Sequence, residues 1–139
     1  LGIPVGMGTD ATRISTYNPR MSLHWLLTGK TIGGMQFWPK DQVLDKFTAL
    51  QLYASGSAWF SGEEKDKGKL VKGMYADLAI ISDDYFSVKP DDIRKIESVL
   101  TVVNGKVVYA SDAYKDLNPE IPAVIPDWSP VKYFGGYQR

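Results

Sequence analysis

The sequence predicts an α+β chain, with a helical first half and an antiparallel β second half. Three observations predict it. Leu23, Leu26 and Leu27 follow the helical period, as do apolar residues from Phe47 onward. Two β-branched runs flank Asn104-Gly105, the preferred pair of a tight hairpin turn. Between these regions lies a charged stretch, SGEEKDKGK at 61–69, which marks the best candidate boundary.

Taken in order, residues 3–8, IPVGMG, read as a short buried strand that ends in glycines. Residues 11–19 are polar and turn-rich. Pro19 suits the first position of a helix that runs through RMSLHWLLTGK and stops at Gly29. A loop with Gly33, Gly34 and Pro39 follows. Asp45 then caps a second helix, KFTALQLYASG, which places Phe47, Leu50, Tyr53 and Ala54 on one face. Gly56 interrupts it before a further turn through Trp59 and Phe60. After the flexible connector come a strand at ADLAIIS, a short helix begun by Pro90 and Asp91, and the hairpin SVLTVVNGKVVYAS. The tail carries Pro119, Pro122, Pro126 and Pro130 among aromatics and reads as an extended segment anchored by Trp128, Tyr133, Phe134 and Tyr137. The expected divisions are 1–62, 63–112 and 113–139.

Composition narrows the function. Sixteen basic residues balance sixteen acidic ones among 139, with no dense Lys/Arg stripe, which argues against a nucleic-acid partner. No apolar run approaches the roughly 20 residues that span a bilayer. With no cysteine there is neither a disulfide nor a thiolate metal site. The chain opens inside an apolar segment without an initiator Met, which reads as a cut within a longer protein, so the sequence leaves the compartment open.

The segment IPVGMGTDATR poses the functional question, because it delivers a lone carboxylate, Asp10, after Gly6 and Gly8. GMGTDA matches a dinucleotide-binding G-x-G-x-x-A. However, the next stretch is turn-like up to Pro19, and the next carboxylate is Asp41, so the expected helix and acidic partner are missing. Two readings stay open. Asp10 is a catalytic carboxylate at the end of a barrel strand, or it caps a turn through an Asx-type bond.

Several strings together resemble the amidohydrolase superfamily, and within it amidohydrolase family 3. GIPVGMGTDATRISTYNP looks like the eighth barrel strand and its loop. GKLVKGMYADLAIIS carries a Gly-x-Leu-x-x-Gly-x-x-Ala-Asp-Leu signature through Gly68, Leu70, Gly73, Ala76, Asp77 and Leu78. VLTVVNGKVVY and the closing PDWSPV…FGGY match as well. The resemblance implies an α/β fold: the last strand and helices of a TIM-like metal-dependent hydrolase barrel, plus the C-terminal part of a small antiparallel β domain. It also implies hydrolysis of non-peptide carbon–nitrogen bonds with a divalent metal, zinc. Asp10 would then be both metal ligand and proton shuttle. Arg13, Tyr17 and Asn18, on the loop that follows, become candidate substrate contacts, and Trp38 a weaker one.

The family's other ligands, a His-x-His pair, two further histidines and often a carboxylated lysine, have no counterpart here. His24 is the one histidine and lies mid-helix, where a structural role is expected. Asp77 is expected to serve backbone N–H groups. The fragment alone is therefore expected to be inactive and to hold no metal. Its partners would be the N-terminal remainder of the same protein, a small-molecule substrate and a second copy joined through exposed edges. The competing class is a non-enzymatic α+β module that binds through its strand edges.

Overall fold

In the computed structural model, which describes residues 2–11, 16–120 and 133, Asn18 opens the first helix, α1 (Pro19–Thr28). Its Oδ1 accepts from Arg20 N–H at 2.9 Å, and Pro19 sits where no donor is needed. Gly29 ends the helix in the left-handed region at φ 64°, its N–H reaching Trp25 O at 2.8 Å. The leucine triad predicted for the inner face is buried throughout.

Asp45 caps α2 (Lys46–Gln51), accepting from Thr48 N–H at 2.9 Å. The run continues as a π-helical turn (Leu52–Gly56) into α3 (Ser57–Phe60). Gly56 does not interrupt it: its backbone is right-handed helical. The inner face also differs from the expected one. Ala49 and Ala58 are buried and Tyr53 partly so, whereas Phe47, Leu50 and Ala54 are exposed. Ala49 faces inward into a core of larger side chains, and Ala58 lies where the backbone at Gly68 approaches closely.

The strand expected at 3–8 is not formed. A strand needs a neighbour for its N–H and C=O groups, and among the described residues none lies alongside. Met7 bonds instead to Leu52 and Ser57, and residues 2–5 are exposed. The 61–69 stretch, expected to be flexible, is a series of turns. Glu63 O accepts from the N–H groups of Asp66 and Lys67, and Lys67 Nζ pairs with the Glu63 carboxylate.

The sheet has the order β1 (Leu78–Ile81), β2 (Ser98–Val103), β3 (Lys106–Ala110), antiparallel throughout. Leu78 pairs with Val102, and Leu100 with both Ile80 and Ala110. Asn104 and Gly105 take φ of 49° and 74°, the doubly left-handed turn expected of that pair. Asp77 Oδ1 accepts from Asn104 N–H at 2.6 Å and fastens the turn across the sheet end. A 3₁₀ turn (Asp112–Leu117), not foreseen in the sequence, follows β3, and Asn118 Oδ1 then accepts from Ala110 N–H.

One core joins the two halves. Leu23, Leu26, Leu27 and Ala49 pack with Tyr85, Ile93 and Ile96. Ile93 belongs to the expected short helix, a 3₁₀ segment (Pro90–Lys95) begun by Pro90, and is fully buried against α1. Of the tail's proposed anchors, Tyr133 is exposed, and Trp128, Phe134 and Tyr137 lie outside the described residues. No described helix is long and apolar enough to cross a membrane.

Candidate functional site

Asp10 stands at the end of the Met7–Thr9 segment, exposed, with φ 50°. A non-glycine residue in that region is held there by its surroundings. The local turn is bonded by Thr9, whose Oγ1 accepts from Ala11 N–H at 3.3 Å. The helix begins only at Pro19, so the glycines do not face a helix N-terminus as a pyrophosphate site requires.

Asp10 lines a concavity of about 500 Å³ together with Met7, Gly8 and Thr9. Met21, Ser22, His24 and Trp25 of α1 form a second wall, and Lys30, Thr31, Ile32 and Phe37 a third. The walls are mainly apolar, the type of surface that takes the uncharged part of a small molecule.

His24 is buried on α1, and its Nε2 lies 3.4 Å from Asp91 Oδ1. Lys30 Nζ also binds Asp91, donating to both carboxylate oxygens. Lys30 foremost, with His24 behind it, holds the Asp91 carboxyl below its ordinary range. The imidazole is thereby committed to a structural pair.

Tyr17 and Asn18 do not join Asp10. They line a separate groove with Arg20, Glu97, Ser98 and Tyr109. The cap bond turns Asn18 toward the start of α1. There the half-buried Arg20 guanidinium donates to Ser98 Oγ. Burial pulls Arg20 below its usual value, opposed by Tyr53 and Glu97. Arg13 lies outside the described residues. Trp38 packs on Trp25, ring centroids 4.6 Å apart, and borders the core.

Sequence reasoning passed over Tyr53 and Ser57. Tyr53 is partly buried, and that burial raises its phenol above the ordinary value, with Ser22 and Thr9 acting in the opposite direction. Ser57 Oγ donates to Met7 O at 2.6 Å. The signal available for them was the small-residue run Ala54-Ser55-Gly56-Ser57-Ala58 between aromatics, a pattern that invites close backbone approach.

As to a metal, a catalytic zinc takes about three protein ligands. Among the described residues no three His, Cys, Asp or Glu side chains converge. Asp10 brings one carboxylate, and the Nε2 of His24 faces Asp91. These residues by themselves do not fit a metal centre.

The amidohydrolase family model matches residues 1–109. A Bacillus subtilis (strain 168) protein named "Putative amidohydrolase YtcJ" is 36% identical over 70 residues, covering 50% of this chain and 13% of that protein. The "N-substituted formamide deformylase" of Arthrobacter pascens is 24% identical over 108 residues, covering 78% of this chain and 20% of that protein. The chain thus spans 20% or less of each of these curated relatives. No solved structure gives a significant match.

Proposed function

This chain belongs to the amidohydrolase family, and from that membership we propose that it is the C-terminal part of a metal-dependent hydrolase acting on non-peptide carbon–nitrogen bonds. The bond is that of an amide, urea, carbamate or cyclic amide. The observation that carries the proposal is the Asp10 carboxylate, exposed and lining an apolar concavity, inside the segment that the family model matches.

In this reading residues 1–62 end a TIM-like barrel, and Asp10 is the proton carrier. It takes a proton from the attacking water and returns it to the departing nitrogen. Arg13, Tyr17 and Asn18 contact the substrate, the last two from their own groove. Asp10 is also one ligand of a divalent metal, zinc, whose remaining ligands come from elsewhere in the protein. Bound there, the metal would supply Lewis-acid activation at neutral pH. Hydrolysis is assigned to the whole protein, since this chain spans 20% or less of its curated relatives.

The test is turnover by the intact protein on N-substituted formamides, simple amides, ureas, carbamates and cyclic amides, with metal content assayed alongside. Hydrolysis of one class, lost on chelation and restored by zinc, supports the proposal. A folded, metal-replete protein that cleaves none of them, or activity indifferent to chelation, contradicts it.

A further inference from the structure

The segment that ends in Asp10 is gripped from one side, by the π-turn Leu52–Gly56 and the residue after it. A π-turn displaces the backbone ladder and frees carbonyls for outside donors. Leu52 O accepts from Met7 N–H at 3.1 Å. Ser57 Oγ lies 3.3 Å from the same N–H and donates to Met7 O at 2.6 Å, so both backbone groups of Met7 are held.

The two backbones also touch. A Cβ on Gly56 would lie 2.5 Å from Val5 O, and one on Gly6 would lie 3.0 Å from the Gly56 carbonyl group. Gly56 has ordinary helical angles, φ −61° and ψ −45°. Glycine at 56 is therefore required by the approach of the other segment and not by its own conformation.

We propose that this π-turn is the positioning device for Asp10, with Ser57 as the positioning residue and the Gly6–Gly56 contact setting the distance. The inference rests on reading Asp10 as the proton carrier. Among the described residues the bonds from Leu52 and Ser57 to Met7 are what hold the segment that leads to the carboxylate. A proton carrier works only when held to a fraction of an ångström, and a misplacement of about 1 Å costs on the order of a hundredfold in rate.

The experiment uses the intact protein with Gly56→Ala, Ser57→Ala and Ser57→Thr, compared with Asp10→Asn. Alanine is otherwise favoured over glycine inside a helix, so Gly56→Ala moves the Val5–Met7 segment without unwinding its support. We expect kcat to fall about tenfold to a hundredfold in Gly56→Ala and Ser57→Ala, with KM little changed and the acid limb of the kcat–pH profile displaced. Ser57→Thr, which keeps the hydroxyl, should recover most of the rate. Independently of activity, amide hydrogen exchange at Met7 should quicken in Ser57→Ala and Gly56→Ala but not in Ser57→Thr.

Loss of activity in Asp10→Asn, with wild-type kcat, pH profile and Met7 exchange in all the folded grip variants, overturns this inference alone. Full activity in Asp10→Asn overturns the proton-carrier reading, and this inference with it.

Discussion

Lys30 Nζ donates to both carboxylate oxygens of Asp91, at 2.9 and 3.0 Å, across 61 residues of chain. The pair ties the loop after α1, whose Lys30 lines the concavity, to the 3₁₀ segment that carries Ile93. His24 Nε2 approaches the same carboxylate from within α1.

The pairing makes a prediction about acid. Lys30 chiefly, then His24, lowers the Asp91 pKa. A carboxylate depressed in the folded state stabilises above its unfolded value, near pH 4, and loses that contribution as pH falls through the folded value. The pair is well exposed to solvent, so Lys30→Met should cost no more than about 1 kcal/mol at neutral pH. Urea melts of wild type and variant should converge in acid below the Asp91 pKa and diverge above it. A constant difference across that window would contradict the assignment.

Ile93 is fully buried between α1 and the β half. Ile93→Ala should cost about 2–5 kcal/mol, the range for a large-to-small change in a closed core. Chemical denaturation reads this directly. A loss under about 1 kcal/mol would mean that the two halves do not share the core.

Asp77 Oδ1 receives Asn104 N–H at the hairpin end. Asp77→Ala should cost about 0.5–1.5 kcal/mol, since the bond is exposed and water can replace the lost acceptor. Asp77→Asn keeps an oxygen there and should cost less. Equal losses in the two variants would assign Asp77 a role other than accepting that bond.

Those last two residues show what was readable. Asp77 was legible as a structural acceptor, and the cap at Asp45, the stop at Gly29 and the Asn104-Gly105 turn were legible too, because each rests on local chemistry. The 3–8 strand was misread because an apolar run becomes a strand only beside a partner. The inner face of the second helical run was misread for a related reason. Ala49 faces inward while Phe47 and Leu50 stay exposed, a choice set by packing against α1 and residues 85–96, which are distant in sequence. At the site, Asp10 stood out as a lone carboxylate after glycines. The separation of Asn18 from it followed from a capping bond that turns the side chain toward α1.

Ile3, Val5, Trp59 and Phe60 are all exposed, and β1 and β3 each leave one edge unpaired among the described strands. The 139-residue chain by itself should therefore self-associate. Sedimentation at high micromolar concentration should show dimers or larger species. A single monodisperse monomer would contradict this.

The central claim is the role of Asp10, and the most direct measurement is kcat of the intact protein against Asp10→Asn on whichever carbon–nitrogen substrate it turns over. The account predicts a loss of at least about a hundredfold, the scale of a general acid–base contribution, in a variant whose fold and thermal stability match wild type. A folded Asp10→Asn protein with undiminished kcat would contradict it and leave Asp10 as a turn residue.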